Sequence, residues 1–329
     1  MFPLRSMTTA LVSYWSRGQR TERAAYVVGV LLMVSGLIHL AILVISGASW
    51  VGPLSLRKPT TFGLSFGLTL VTVTWVASFL PLSTRARSRL LGMFTAACVF
   101  ETALVSLQAW RGVPSHFNVE TAFDAMVARM LAGGGIVLVA IIVVLTFAAF
   151  RTNPRVPISL RVAIRIGFVA LVCAVVVGML MIANGMMLVF AGDPQAAYAT
   201  GGALKPTHAV TMHAILLLPA LAWLLSFANW TEQRRLGVVL MAGAGYVVLG
   251  GVVAAGNFVG LDLRQVSAPT VCLFALGALL LLATVLLALS AAARAPIDGI
   301  QHLGPSSDSH GARAAASART TTSGSGGGR

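Results

Sequence analysis

Ile136-Val-Leu-Val-Ala-Ile-Ile-Val-Val144 is an unbroken apolar run, set inside a longer stretch, 123–149, whose only charged members are Asp124 and Arg129. It does not alternate between apolar and polar residues as a barrel strand would. A helix of about 20 such residues crosses the hydrocarbon of a bilayer. No water is available there to bond the backbone, so the spanning form is an α-helix with its hydrogen bonds closed internally. Seven more stretches read the same way: 25–46, 61–81, 90–110, 164–189, 208–228, 236–259 and 269–290. The expected fold is all-α, a polytopic transmembrane bundle of about eight helices. Composition agrees, with 57% hydrophobic and 10% charged residues in 329, where a soluble domain carries about 25% charged. The mean hydropathy is +0.88.

A net charge of +14 would suit a nucleic-acid partner, but its placement points to the lipid bilayer instead. Arg17, Arg20 and Arg23 precede the first apolar stretch, and Arg85, Arg87 and Arg89 follow the second. Arg151, Arg155, Arg161 and Arg165 follow the fourth, Arg234 and Arg235 the sixth, and Arg294 the last. Arg57, Lys58, Arg111, Arg129, Lys205 and Arg264 fall towards the opposite ends. Arginine-rich loops stay in the cytoplasm, which places both termini there and excludes nucleic acid as the partner. Residues 1–23 then form a basic cytoplasmic arm, 24–290 the bundle, and 291–329 a disordered cytoplasmic tail. That tail is rich in Ser, Gly, Ala, Thr and Arg, holds His302 and His310, and has too little apolar surface to fold. The first apolar stretch is longer than the 7–15 residues of a signal peptide's core, so it reads as an uncleaved anchor. Lys58 and Lys205 are the only lysines, and each opens the triplet Lys-Pro-Thr ahead of an apolar stretch. That pattern would follow from two parallel four-helix halves. It equally follows from proline suiting a first helical turn.

Glu101, in Val99-Phe-Glu-Thr-Ala103, is the most unusual residue. An acid in a spanning helix costs about 2.5–3.5 kcal/mol on insertion scales, so it faces a partner or a cavity. Gln108 follows at i+7, on the same helix face. The connection Arg111-Gly-Val-Pro-Ser-His-Phe-Asn-Val-Glu-Thr-Ala-Phe-Asp124 gathers Arg111, His116, Asn118, Glu120 and Asp124 in a chain with few charges. Thr121 is placed to cap the next helix, with Asp124 in its positive first turn. His39 and His213 fall at similar depths in the first and sixth spans, as two axial haem ligands or a shared metal would require. His208 and His213 are five residues apart, about 140° around a helix, and so do not share one ion. His208 reads as capping its helix or facing water. Met179, Met181, Met186, Met187 and Met212 suit Cu(I) as well as ordinary packing. Cys98, Cys173 and Cys272 sit on three different spans with no CxxC spacing and read as free buried thiols. Thr61, Ser65, Thr69 and Thr72 make a hydroxyl stripe. Gly133-Gly-Gly135 and the glycines from Gly243 to Gly260 would permit close helix approach. There is no Walker, Rossmann, GxSxG or HExxH motif to support ATP hydrolysis or a common hydrolase mechanism.

The stretch Glu101-Thr-Ala-Leu-Val-Ser-Leu-Gln-Ala-Trp-Arg-Gly-Val-Pro-Ser-His-Phe-Asn118 resembles the signature of an uncharacterised family of bacterial multi-pass membrane proteins. Lys58-Pro-Thr-Thr-Phe-Gly63 and His208-Ala-Val-Thr-Met-His213 are similar to the same pattern. The resemblance implies a bacterial plasma-membrane location and this architecture, and carries no mechanism. Three functions remain open. One is a binding or transport protein for a small molecule or ion, with Glu101, Gln108, Arg111, His116, Asn118 and Asp124 forming a polar site in the outer half. The second is a redox protein with b-type haem or a metal between His39 and His213. The third is an enzyme on an outer-leaflet lipid substrate, with His116 and Asp124 as acid and base.

Overall fold

Short polar side chains mark where the helices begin. The Ser83 hydroxyl accepts from the Ala86 amide (3.3 Å), Thr121 from Asp124 (3.1 Å) and Thr231 from Arg234 (3.4 Å), each relieving a first-turn N–H that has no helical partner. The computed structural model describes residues 4–50, 52, 54–200, 204–260 and 267–294. The tail expected from 291 onward therefore lies outside the described residues beyond 294, as does Arg264.

The described residues form ten helices: α1 Leu4–Arg17, α2 Arg20–Ile45, α3 Arg57–Ala77, α4 Thr84–Trp110, α5 Ala122–Phe150, α6 Ile158–Phe190, α7 Pro194–Thr200, α8 Lys205–Leu225, α9 Glu232–Val259 and α10 Ala268–Ala293. All but α1 and α7 are long and apolar enough to span a bilayer. The protein is a multi-pass integral membrane protein, all-helical as its apolar stretches led one to expect. Large apolar side chains such as Ile45, Phe147, Phe190 and Val247 cover its outer surface.

The arm expected at 1–23 is largely helical in its described part. It holds helix α1, docked by Tyr14, whose ring meets Trp75 at 6.4 Å and Phe79 at 5.9 Å. Burial raises the Tyr14 phenol above its ordinary pKa. Glu22 closes the start of α2 by accepting from the Gln19 amide (2.8 Å) and pairs with Arg87 of α4 at 2.6 Å.

Within the bundle α2 packs on α3, α3 on α4, α2 on α4 and α4 on α5. The later helices repeat the scheme, with α6 on α8, α8 on α9, α6 on α9 and α9 on α10, while α5 meets α6 and α3 meets α8 between the two sets. The closest crossing is α2 on α3. A methyl at Gly63 would lie 2.7 Å from the Leu32 carbonyl oxygen, and one at Gly36 would lie 2.9 Å from that of Thr60. Gly245 and Gly277 make the comparable contact between α9 and α10. Close approach was expected at Gly133–Gly135, yet Gly133 and Gly135 face open space. Cys98 alone of the three thiols is buried; Cys173 and Cys272 are on the exterior, contrary to expectation.

At the arginine-rich end, α3 and α8 finish alike. Ser78 donates to the Trp75 carbonyl and Ser226 to that of Trp223, both at 2.6 Å. Trp75 stands edge-on to Phe79 and Trp223 edge-on to Phe227, and the two indoles meet at 6.2 Å.

Candidate functional site

Glu101 lies nine residues before the end of α4, hence about 14 Å below the histidine-bearing end of the bundle at 1.5 Å per residue. Its side chain is buried at 4% exposure, and Oε1 has no hydrogen-bond partner. The carboxyl faces Gly134 of α5, where a Cβ would collide with it. A glycine is therefore what gives this acid its space. Thr102 beside it returns its hydroxyl to the Cys98 carbonyl (2.9 Å) and so offers Glu101 nothing.

One turn and a half towards the histidine end, Val105, Val127 and Leu131 form a small separate apolar cluster between α4 and α5. Beyond it comes a closed polar knot. Gln108 Nε2 donates to Asp124 Oδ1 (2.9 Å), Arg111 Nη1 donates to the same oxygen (2.5 Å) and to Gln108 Oε1, and Thr121 donates to Oδ2 (2.6 Å). Arg111 also lies over the Phe123 ring at 4.6 Å. Gln108 and Asp124 are almost wholly buried. Charge-assisted bonds of this kind are the stronger ones, so the knot latches α4 to the start of α5. It meets Glu101 only across the apolar cluster, so the expected single polar site is two sites in space. Arg129 is exposed and has no ion pair among the described residues.

The connection between α4 and α5 is folded inward. His116 bonds Ser115 Oγ (2.9 Å) and packs on Phe62 of α3 at 5.8 Å. Burial, helped by the Lys58 charge, pushes its pKa down to about 3, so the imidazole is neutral at ordinary pH and is a poor general acid. Phe117 adopts φ 65°, a left-handed backbone uncommon for a bulky residue, and its ring fills the space over Gly185 of α6. Asn118 is fully buried, with Oδ1 on the Glu120 amide (3.1 Å) and Nδ2 unpartnered. Tyr198 of α7 is buried near this segment with its hydroxyl unpartnered; burial, then Glu120 and Asp124, raise its pKa.

The remaining histidines separate. His39 Nδ1 donates to the Ser35 carbonyl (2.8 Å), and Nε2 accepts from the Trp110 indole (3.0 Å). Neither nitrogen is left for a metal. His213 Nδ1 donates to the Ala209 carbonyl (2.6 Å), and its ring lines a crevice against α3. A haem or metal held jointly by His39 and His213 does not fit this arrangement. Among the described residues no three His, Cys, Asp or Glu side chains form a metal-binding group. His208, expected at a cap or in water, donates instead to the Ala174 carbonyl of α6 (2.7 Å) over Gly178.

Sequence reasoning missed Trp110, which carries no local sign of its partner, and read Gly134 as a helix-contact glycine rather than as the space for Glu101. Comparison with protein-family models, with curated proteins and with solved structures gave no match to this chain.

Proposed function

We propose that this membrane protein binds or transports a small molecule or ion by a proton-coupled mechanism in which Glu101 takes up and releases the proton. One observation carries the reading: an acid within a spanning helix, almost fully buried, with no opposite charge beside it among the described residues. It is approached only by the Gly135 backbone amide, and Oε1 makes no hydrogen bond. A purely structural acid would be paired, because an unpaired buried charge is far more costly than a paired one. Protonation removes that cost, so Glu101 has two states of differing stability that a ligand's charge can select between. The apolar cluster of Val105, Val127 and Leu131 separates it from water at the histidine end. The latch of Gln108, Arg111 and Asp124 closes over that cluster, with the His116–Asn118 segment packed alongside. Opening the latch would admit water to Glu101, and the gathering of arginines at the opposite end supports an outward-facing position for this face.

The test uses protons as the probe. Purified protein in vesicles carrying a trapped pH dye is given a potassium diffusion potential with valinomycin. Wild type should move protons and Glu101→Gln should not, while both retain the same helical circular dichroism. Equal proton movement in the two would remove Glu101 from the mechanism.

A further inference from the structure

The two sets of helices carry similar marks along α3 and α8, with one residue more between the Lys-Pro-Thr triplet and the tryptophan in α8 (18 positions) than in α3 (17 positions). Lys58-Pro-Thr60 opens α3 and Lys205-Pro-Thr207 opens α8. Trp75-Val-Ala-Ser-Phe-Leu-Pro-Leu-Ser83 closes one, and Trp223-Leu-Leu-Ser-Phe-Ala-Asn-Trp-Thr231 closes the other. The serines make the same bond at 2.6 Å, the Trp–Phe pairs stand edge-on alike, and Ser83 and Thr231 each cap the following helix. Order of helix packing within each set repeats as well, although the contact of α5 with α6 has no close counterpart between α10 and α2 among the described residues. Counterparts also face one another. Trp75 meets Trp223, and Lys58 lies within reach of the Lys205 charge. Between these levels Ser65 shares a crevice with Met212 and His213, the residues at its corresponding position. Like meeting like at three levels is the mark of a two-fold axis.

We infer that the chain is a fused duplication with a local two-fold axis between α3 and α8, and that the crevice on this axis binds one monovalent cation. In duplicated transporters, substrate and ion sites lie at the interface between repeats near mid-membrane. The crevice begins at Ser65 and His213, each eight residues into its helix, and so about 12 Å in.

Its lining offers unused acceptors. The hydroxyls of Thr95, Thr102, Thr146 and Thr211 bond carbonyls one turn back at 2.7–2.9 Å, while buried Thr74, outside the crevice, has no partner. Ser65, Thr69 and Thr72, all in the crevice, have no hydrogen bond among the described residues, and Thr72 Oγ1 is buried at 3% exposure without a partner. With Nδ1 of His213 donating to Ala209, a neutral ring presents the Nε2 lone pair. Pro219 lies inside α8 and has no N–H, so the carbonyl of Ile215, also in the lining, loses its helical donor.

A site made of acceptors takes a ligand that is positive or only donates. Space for about one water molecule excludes an organic substrate. No carboxylate lines it, so a divalent ion would be left uncompensated. Neutral oxygen dipoles suffice for a monovalent ion, as in selectivity filters. Glu101 lies between α4 and α5, outside this lining, so the site stands apart from the proposed proton acid.

The experiment is thermal unfolding of the purified full chain in detergent, in sodium, potassium or N-methyl-D-glucamine chloride at one ionic strength. Sodium or potassium should raise Tm saturably above the glucamine salt, since a ligand bound only by the folded state stabilises it. Thr72→Val keeps shape and removes the hydroxyl, and the Ser65→Ala/Thr69→Val double variant provides a second route. Each should weaken the apparent affinity at least tenfold, whereas Glu101→Gln should leave it intact. Identical Tm in all three salts would mean that the crevice holds only water and would overturn the proposal. An ion effect persisting unchanged in both hydroxyl variants would overturn it too. Loss of the effect in Glu101→Gln alone would move the cation to Glu101 and equally refute the axial site.

Discussion

Gly67→Ala and Gly133→Ala are the same chemical change on two spanning helices, and they should have opposite effects. At Gly67 the new methyl would lie 2.5 Å from the Gly29 carbonyl oxygen, 2.6 Å from Met33 Cγ and 2.8 Å from the Met33 amide nitrogen. Two of those three atoms are backbone and cannot rotate away, so α2 and α3 must separate by about 1 Å to restore ordinary contact. Overpacking of this kind costs about 1–3 kcal/mol, and the fixed neighbours argue for the upper end. Alanine's better helix propensity returns up to about 1 kcal/mol, leaving a net loss of about 2 kcal/mol. At Gly133 nothing lies within 4 Å, so only the propensity gain of up to about 1 kcal/mol remains. The two variants should therefore differ by about 3 kcal/mol in equilibrium unfolding in mixed micelles, read by circular dichroism. Gly67→Ala as stable as wild type would refute the glycine-mediated crossing, and so would Gly133→Ala as damaging as Gly67→Ala.

Two further outcomes follow from the connection between α4 and α5. Asp124→Ala leaves the buried Gln108 amide without its acceptor while the exposed Arg111 can turn to water, and should cost about 1–3 kcal/mol, whereas Asp124→Asn keeps an acceptor oxygen and should cost clearly less. Equal thermal stability of Asp124→Ala and wild type would show that the latch holds nothing. His116 has a folded pKa of about 3 and an unfolded value of about 6.5. The unfolded chain thus takes up the proton first, so this contribution to stability is complete above pH 6.5 and is lost as pH falls towards 3. By pH 5 the loss should be about 2 kcal/mol, measured as unfolding midpoint against pH. His116→Gln should flatten that slope, and an unchanged slope would place the titration elsewhere.

Features that depend on residues close together in the chain are legible in the sequence. The bilayer forces each apolar stretch to satisfy its own backbone, so all eight spans can be read there, with boundaries shifting by a few residues; the stretch 164–189 belongs to the longer α6, Ile158–Phe190. Thr121 capping α5 is legible because the bond joins residues three apart. Glu101 is legible because an acid in a spanning helix is costly wherever it points.

The amino-acid sequence by itself determined that the chain crosses a membrane on eight helices, and which residues are too polar to lie there without a reason. Only the tertiary structure decided their company. Trp110 reaches His39 across 71 positions, Asp124 reaches Gln108 across 16, and Glu101 is given room by Gly134 rather than joined to the latch. Lipid is as apolar as the bundle interior, so a spanning helix need carry no polar stripe to announce its buried face. Which face meets a neighbour is set by shape, at glycines such as Gly29, Gly36, Gly63 and Gly67. Whether a glycine faces another helix or open space depends on helices far away in the chain.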